Sequence, residues 1–346
     1  MTSRSNKIVF LTGSTGFIGS NVVRMLSQQG WTVRALVRSV TRAKERSDVW
    51  QPKTPGSVEY VQGDLFAGSP MERSRLFTEC LKGANALIHI GEAKTKEKDF
   101  DAKNIKTFGL LLEAANAMSS LDRFIFVSAF MAGGLPHPMP KILTEEMTGT
   151  EFPDPYFQWK RIAERLLIKS SGNSRFSYSI IRPALVYGPN AKWLVPMLSA
   201  IKKMGPYFVP LPNGGMAPLG TVHVEDVAAT IALSASSRHA ENQIIHAVDN
   251  GGTTYADWFE TICKAVGRKA NIGRIPTSLV DTAAKGVDAL TSLFNLHFGA
   301  YLWAQILNEG CGYSNDKMKQ IIGTLKYPTI RDGVPGMMEW FAQTHA

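Results

Sequence analysis

The chain has 346 residues, 44% of them hydrophobic, and a formal charge of +9. This length and hydrophobic content exclude a disordered chain and allow one large domain, or two closely joined domains, with a full core. The positive charge is compatible with binding to nucleic acid, to an anionic membrane surface or to an anionic small ligand. Because no run of lysines and arginines with interleaved aromatic residues is present, nucleic acid is not predicted as a partner.

The cysteines and the apolar segments predict neither a metal site nor a membrane-spanning helix. Cys80, Cys263 and Cys311 lack the spacing of a metal site, so we expect reduced thiols, no disulfide framework and no metal. The N-terminus runs directly into an apolar segment without a basic-then-apolar leader, which predicts a cytoplasmic protein. Residues 289–307 are uncharged but interrupted by polar side chains, so we expect a buried or lid-forming helix rather than a transmembrane one, with peripheral membrane contact as the alternative.

Up to about residue 185, short apolar runs alternate with amphipathic segments of helical length. The predicted strands are KIVFLTG, TVRALVR, VEYVQGD, ALIHIG and RFIFVSA. The predicted helices between them are FIGSNVVRMLSQQG, RSRLFTECLKG and NIKTFGLLLEAANAM. Strands this apolar, each separated by a helix, indicate an α/β fold with a doubly wound parallel sheet of the Rossmann type.

The alternation ends after SIIRPALVYGP (179–189), where proline and glycine become frequent. A strand-like TVHV and a helix from Asp226, with this aspartate as its N-cap, precede a largely helical C-terminal part. We therefore predict a dinucleotide-binding domain over residues 1–185. A smaller, mostly helical substrate lobe is predicted over residues 186–346, with some late segments returning to the Rossmann core.

The segment TGSTGFIG (12–19) follows the first predicted strand and opens the first predicted helix. Its glycines permit a tight turn, close backbone approach and close helix packing, and the helix N-terminus attracts a pyrophosphate. The order strand, turn and helix favours a dinucleotide site over an ordinary glycine turn. The predicted contacts in this turn are Gly13, Thr15, Gly16, Phe17, Ile18 and Gly19.

Arg38 ends the second predicted strand, at the point where an NAD-specific site usually offers an acidic side chain to the adenosine ribose. A carboxylate would repel a 2′-phosphate, whereas a guanidinium pairs with one through forked hydrogen bonds. NADP(H) is therefore the predicted cofactor and NAD(H) the alternative. Arg42 and Lys44 would add to the positive electrostatic potential around Arg38. The other interpretation of these basic residues is a solvated loop that binds no phosphate. Asp64 is either an acceptor for the adenine amino group or an ordinary turn aspartate.

Several motifs then occur in a fixed order: TGSTGFIG, GDL, Asn104 with LLEAA, FVSAFMAGG, YFQWK, IIRPALVYGP and VHVEDVA. On these motifs the chain resembles the extended short-chain dehydrogenase/reductase family, part of the NAD-dependent epimerase/dehydratase superfamily. The resemblance implies that Ser128 holds the substrate oxygen, that Tyr156 exchanges a proton with it, and that Lys160 assists. The remaining predicted cofactor contacts are Leu65, Gly91, Lys160, Pro183 and Leu185.

Tyr156 and Lys160 are spaced by one helical turn, and Tyr313 and Lys317 share this spacing without the neighbouring motifs. A free tyrosine has a pKa of about 10, which must fall by about 3 for a base that works near neutrality. A lysine ammonium about 4 Å away supplies about 4 kcal/mol at an effective dielectric near 20, which is the required amount. We therefore predict that Lys160 lowers the pKa of Tyr156.

Two features depart from the family pattern. Glu92 follows Gly91 where a second small residue is common, and it brings an acid near the expected pyrophosphate. Leu219 and Gly220 stand where nucleotide-sugar enzymes commonly carry a phosphate-binding arginine, which argues against a nucleotide sugar. The expected pocket is instead apolar and aromatic, although each residue alone is more typical of a core. Its candidate residues are Phe130, Met131, Phe157, Trp159, Tyr187, Trp193, Leu194 and Met197.

The predicted function is an NADP(H)-dependent oxidoreductase that interconverts a ketone and a secondary alcohol on an apolar small molecule. It resembles the branch containing dihydroflavonol reductases, 3β-hydroxysteroid dehydrogenases and ketoreductases. A nucleotide-sugar epimerase or dehydratase with tightly bound NAD(P), and a non-catalytic NADP(H)-sensing protein, remain as alternatives. We expect the loop 134–155 to act as a lid and His223 to be structural. A monomer and a homodimer are both open.

Overall fold

The computed structural model describes residues 7–47, 56–93, 99–203, 207–293 and 299–345. The strands are β1 Ile8–Thr12, β2 Thr32–Val37, β3 Ser57–Gln62, β4 Ala86–His89, β5 Arg123–Val127, β6 Ile142–Leu143, β7 Ser177–Pro183, β8 Leu185–Tyr187, β9 Tyr207–Pro212, β10 Thr221–His223, β11 Gln243–Ala247, β12 Ala270–Ile275 and β13 Gly312–Tyr313. The helices are α1 Phe17–Gln28, α2 Val40–Ser47, α3 Pro70–Leu81, α4 Phe100–Asn116, α5 Pro155–Ser171, α6 Val195–Lys203, α7 Val224–Ser234, α8 Tyr255–Ala265, α9 Thr277–Ser292, α10 Ala300–Asn308, α11 Asp316–Ile322 and α12 Ile330–Thr344.

Seven strands form one parallel sheet in the spatial order β11-β7-β5-β4-β1-β2-β3. The chain builds outward from β1 in both directions, with β2 on one side and β4 on the other. The predicted doubly wound Rossmann-type sheet is therefore confirmed, and its five predicted strands are all present. Such sheets bind ligands at the carboxyl ends of the strands, in the crevice where the strand order reverses.

Apolar side chains cover both faces of this sheet. Helices α1 and α7 pack together over one face, while α3, α4 and α5 pack over the other. A buried ion pair ties the second layer to the sheet, with Arg182 on β7 donating to both carboxylate oxygens of Glu164 on α5, at 3.0 and 2.6 Å. The edge strand β11 comes from a late part of the chain and pairs in parallel with β7.

The later segments form short parallel pairs, β8 with β10, β9 with β12 and β6 with β13. Helices α6, α8 and α12 enclose a separate apolar cluster there. Helix α7 begins at Val224, and its N-cap is His223, whose Nδ1 accepts from the Glu225 amide. The prediction that Asp226 is the N-cap is wrong, because its carboxylate instead accepts the backbone amides of Lys326 and Tyr327, at 2.8 and 3.0 Å.

The prediction of one helix over residues 289–307 is also wrong. Gly299 has a φ of 64°, which breaks the α-helical path, and the segment divides between the end of α9 and α10, with residues 294–298 outside the described part. None of the residues of α9 is buried, so this helix lies on the surface. Within the described ranges, no helix is both long and apolar enough to cross a membrane.

The loop 134–155 is fastened at several points. Its strand β6 pairs with β13, and Leu135 donates to the carbonyl of Thr150 at 2.9 Å. Glu145 accepts the amide of His246 at 2.8 Å, which ties the loop to the edge of the sheet. These contacts anchor the loop to the rest of the fold, whereas a lid has to move. The structure therefore gives no support for the predicted lid.

Candidate functional site

The glycine turn between β1 and α1 packs tightly against the loop that follows β4. Gly13 has a φ of +77°, and a Cβ there would lie 2.7 Å from the amide nitrogen of Gly91. A Cβ on Gly19 would lie 2.1 Å from the carbonyl oxygen of Gly13, while Gly16 donates to that oxygen at 3.0 Å and caps α1. The turn therefore requires glycine at these positions, and it leaves the N-terminus of α1 facing the crevice.

Ser14 is a polar residue of this turn that the sequence reasoning missed. Its side chain is buried, and within the described residues its hydroxyl has no hydrogen-bond partner. A buried, unpaired hydroxyl at a helix N-terminus suits a phosphate oxygen. The position of Ser14 within the glycine turn was the available signal.

A groove of about 300 Å³ runs from this turn along the carboxyl ends of β2, β3 and β4. It brings together six of the predicted cofactor residues: Gly13, Thr15, Arg38, Asp64, Leu65 and Gly91. Glu92 and Lys103 also line it, and Lys103 was not predicted. Asp64 Oδ1 accepts the Phe66 amide at 2.8 Å, so this carboxylate does form the turn that was its alternative interpretation.

A second pocket of about 320 Å³ adjoins the groove at Glu92, which lines both cavities. It contains all three candidate catalytic residues, Ser128, Tyr156 and Lys160. The other predicted residues in its wall are Phe17, Ile18, Pro183, Leu185, Phe130, Phe157 and Trp193. The structure thus gathers residues from six separate segments of the chain around one small cavity.

The first turn of α5 positions Tyr156 and Lys160. Pro155 begins the helix, and Asp154 caps it by accepting the Tyr156 amide at 2.7 Å. The tyrosine and the lysine therefore lie at i and i+4 on one helical face, and the lysine Nζ is 5.5 Å from the centre of the phenol ring. The other pair with this spacing differs, because Tyr313 lies on β13 and Lys317 on α11.

Ser128 follows the carboxyl end of β5. Its amide donates to the carbonyl of Ile181 at 2.7 Å, which fixes its backbone against β7. The side chain is 3% exposed, and its hydroxyl has no hydrogen-bond partner within the described part of the chain. A buried hydroxyl of this kind carries a desolvation penalty of about 1–3 kcal/mol that a bound oxygen atom would relieve.

Lys160 is almost completely buried. Its ammonium donates to the carbonyl of Val127 at 2.8 Å and forms an ion pair with Glu92 at 3.2 Å. The Trp159 and Phe126 rings lie 4.2 and 5.2 Å from Nζ, so Trp159 supports the lysine from the core instead of lining the pocket. Burial lowers the pKa of Lys160, and Glu92 opposes that effect.

The pKa of Tyr156 is raised well above its ordinary value. Burial is the largest cause, and the negative charges of Glu92 and Asp154 add to it. The predicted lowering of this pKa by Lys160 is therefore not found. The main physical reason is the burial of the phenol, and the negative charge of Glu92, which pairs with the lysine ammonium, adds to it.

Besides Trp159, four of the predicted pocket residues lie elsewhere. Met131 is fully buried in a cluster with Leu135 and Phe152, because it points inward from the turn after β5. Tyr187 on β8 is also fully buried, and its hydroxyl donates to the carbonyl of Thr329 at 3.2 Å. Met197 and Leu194 pack into the apolar cluster that α6, α8 and α12 enclose. The structure does not bring these four side chains to the pocket.

Comparisons with known proteins identify the family of the chain and its relatives. A family model described as the NAD dependent epimerase/dehydratase family matches residues 9–246. The chain is 26% identical over 353 aligned residues to a ceramide reductase of Caulobacter vibrioides, which covers 99% of this chain and 95% of the relative.

A second relative is a ketoreductase of Stigmatella aurantiaca, named for 4-hydroxy-2-methyl-3-oxo-4-farnesyl-3,4-dihydroquinoline-1-oxide. It is 25% identical over 313 residues, covering 87% of this chain and 82% of the relative. The crystal structure of gox2253 matches with a TM-score of 0.77 at 22% identity, over 98% of this chain and 99% of that chain. At this identity the structural match supports the fold alone.

Proposed function

The chain belongs to the NAD dependent epimerase/dehydratase family, whose enzymes depend on a nicotinamide dinucleotide, and from this premise we propose an NADP(H)-dependent oxidoreductase. In this proposal the enzyme interconverts a ketone and a secondary alcohol on an apolar small molecule. Both relatives described above are named as reductases, which supports reduction of a carbonyl group.

The observation that carries the proposal is the unpaired hydroxyl of Ser128 in the same pocket as Tyr156 and Lys160. A hydroxyl at this position donates a hydrogen bond to the substrate oxygen, where negative charge grows as the carbonyl is reduced. An ordinary tyrosine is already protonated at neutral pH, and the raised pKa of Tyr156 holds this proton more firmly, so the hydroxyl can give it to the same oxygen.

The residues of the groove fit a dinucleotide. The unpaired hydroxyl of Ser14 and the N-terminus of α1 can both donate hydrogen bonds to the pyrophosphate. The space for it depends on glycine at positions 13 and 19, because a side chain at either position would collide with the backbone of the turn. Arg38 lines the groove at the end of β2 and is exposed, which leaves its guanidinium accessible to a 2′-phosphate. When bound, the nicotinamide supplies or accepts the hydride.

An apolar substrate is proposed from the wall of the second pocket. Phe130, Phe157 and Trp193 form much of it, and Trp193 is 50% exposed at the rim. The rings of Phe130 and Phe157 meet edge to face, with centroids 6.4 Å apart. A wall with so few polar groups favours a substrate that presents little besides its carbonyl or hydroxyl group for hydrogen bonding.

A nucleotide-sugar substrate is disfavoured by the surroundings of residues 219 and 220. Leu219 packs against the apolar cluster of the second lobe, and a Cβ on Gly220 would lie 2.9 Å from the ring of Tyr313. An arginine at either position would therefore displace packed side chains. An epimerase or dehydratase would purify with nicotinamide bound and would show no net consumption of NADPH, which distinguishes it from the proposed reductase.

The proposal is tested by a screen of NADPH oxidation against steroid, flavonoid, β-keto ester and aldehyde panels. With a substrate in hand, Tyr156→Phe is expected to retain cofactor binding and lose nearly all turnover, since it removes the proton and keeps the ring. Ser128→Ala is expected to reduce kcat by about 10² to 10³. Tyr313→Phe is the matched control, because it removes the hydroxyl of a tyrosine outside the pocket. Full activity in Tyr156→Phe would assign proton transfer to another group.

A further inference from the structure

Glu92 stands at the junction of the dinucleotide groove and the Tyr156 pocket, on a loop that is fixed on both sides. The amide of Gly91 donates to Thr12 Oγ1 at 3.2 Å, and the amide of Ala93 donates to Asn104 Oδ1 at 3.0 Å. These bonds hold the backbone on either side of Glu92. Its carboxylate is thereby directed at Lys160, with an Oε2 to Nζ distance of 3.2 Å.

Apart from the aromatic rings around its ammonium, those of Phe126, Tyr156 and Trp159, Lys160 has few other groups to stabilise its charge. Its side chain is 4% exposed, and its one hydrogen bond to the backbone goes to Val127. Glu164 lies one turn further along α5, but Arg182 occupies both of its oxygens. Within the described residues, Glu92 is therefore the carboxylate in direct contact with the ammonium. A buried charge that loses its partner either costs several kcal/mol or becomes neutral.

Among the described residues, other titratable groups surround the pair, and Arg38, Asp64 and Lys103 line the dinucleotide groove together with Glu92. On α5 these are Asp154, which also raises the pKa of Tyr156, and Glu164, which favours the charged form of Lys160. On the sheet, His89 is neutral because burial, followed by the charge of Lys160, lowers its pKa to about 3. Arg182 on β7 is paired with Glu164. Within the part of the chain that the structure describes, the charges closest to Tyr156 are therefore those of Lys160, Glu92 and Asp154.

We propose that Glu92 is a positioning residue that keeps the buried Lys160 ammonium charged and, through its own negative charge, keeps Tyr156 protonated. The site is thereby adjusted to give a proton to a carbonyl oxygen more readily than to take one from an alcohol. The statement about proton transfer rests on the proposed function. The statement about the charge of Lys160 does not, because it concerns the free protein.

The first experiment measures the titration of Lys160 in the free protein, by NMR of protein labelled at the lysine side chains. The Lys160 signal is identified by its absence in Lys160→Met. In Glu92→Gln, the midpoint of this titration is expected to fall by about 1 to 2 pH units, because an opposite charge at this distance shifts a pKa by about that amount. Glu92→Asp, which keeps the charge, is expected to restore most of the difference.

Glu146→Gln is the matched control. It removes a carboxylate that pairs with another lysine, Lys317, at 2.7 Å on the outer side of the loop. This variant is expected to leave the Lys160 titration unchanged. If Glu92→Gln also leaves it unchanged, the proposal is overturned.

The second experiment compares the pH dependence of alcohol oxidation with NADP⁺. Oxidation requires Tyr156 to accept a proton, so the rate rises as the pH approaches the pKa of its hydroxyl. Glu92→Gln is expected to move this rise to lower pH, and Glu92→Asp to move it back. If the pH–rate profile of alcohol oxidation is unchanged in Glu92→Gln while the titration midpoint of Lys160 falls, the proposed effect of Glu92 on Tyr156 is refuted. A wild-type protein that turns over no ketone or alcohol would refute the proposed function, while the NMR titration would still decide the role of Glu92.

Discussion

The replacement Arg38→Asp tests the preference for NADP(H) most directly. Arg38 is exposed at the end of β2, in the wall of the groove that also contains Gly13, Asp64 and Lys103. A 2′-phosphate on the adenosine ribose would carry about −1.5 to −2 charges and accept forked hydrogen bonds from a guanidinium. NADH has no such group. The substitution therefore affects one cofactor far more than the other.

The expected magnitude follows from the exposure of the side chain. Charge-assisted hydrogen bonds contribute about 1.5–3 kcal/mol, and the lower value applies where water competes. Reversing the charge adds a repulsion of about 1 kcal/mol per pair of unit charges at 4 Å in water, or about 2 kcal/mol for a dianionic phosphate. The total of about 3.5 kcal/mol corresponds to a loss of roughly 300-fold or more in NADPH affinity. NADH affinity is expected to change by no more than a few-fold, because its charges are more distant and screened.

The assay is the dissociation constant of each cofactor at one ionic strength, measured by calorimetry for the wild type and the variant. Arg75→Asp is the matched control, since it makes the same change of net charge at an exposed position of α3 that does not line the groove. It is expected to alter both constants slightly and equally. An equal loss of NADPH and NADH affinity in Arg38→Asp would refute the assignment of Arg38 to the 2′-phosphate.

Three further predictions concern stability, each measured by urea denaturation. Gly19→Ala is expected to destabilise the fold and abolish cofactor binding, because its Cβ would lie 2.1 Å from a carbonyl oxygen. The control Gly109→Ala has open space on a helix and is expected to increase the free energy of unfolding by up to about 1 kcal/mol. Equal effects of the two substitutions would contradict this reasoning. Glu164→Gln is expected to cost about 3–5 kcal/mol by leaving Arg182 buried and unpaired, and a loss below about 1 kcal/mol would exclude that role. The pKa of His89 is lowered to about 3 in the folded state, so the unfolded chain binds its proton first. This residue contributes a fall in stability of about 1.4 kcal/mol per pH unit from about pH 6.5 down to about pH 3. His89→Gln is expected to reduce the slope by that amount, and an unchanged slope would contradict this reasoning.

The sheet was predictable because its central strands are apolar on both faces. All four residues of β4 and all five of β5 are buried, as their uninterrupted apolar runs indicate. Helix α2 was not predicted, since its sequence VTRAKERS has almost no apolar side chains to set a period. Helix α3 begins three residues before the predicted segment, and the capping box of Ser69 and Glu72 with Pro70 was the signal that marks its start.

The site was predictable to the extent that motifs follow strand ends. Ser128 follows β5 and the glycine turn follows β1, so their approach at one edge is a consequence of the parallel sheet. The direction of single side chains was not predictable, because it depends on contacts distant in sequence. Tyr187 donates its hydroxyl to Thr329, 142 residues away, and this bond turns it into the core. The capping role of His223 was equally hidden, since histidine is not among the favoured N-cap residues.

The ionisation of Tyr156 shows why spacing alone misjudged the chemistry. The i to i+4 spacing takes into account only the ammonium of Lys160, and a single positive charge would lower the pKa of the phenol. Glu92 comes from a different strand end and pairs with that ammonium, and its negative charge adds to the effect of burial on Tyr156. Burial then controls the outcome and keeps the proton on the hydroxyl. In the proposed reaction, reduction starts from this protonated form, whereas oxidation needs an additional positive charge, which the oxidised nicotinamide carries. Oxidation of the alcohol is therefore expected to reach its maximum at a higher pH than reduction of the ketone, and coincident optima would contradict this account of Tyr156.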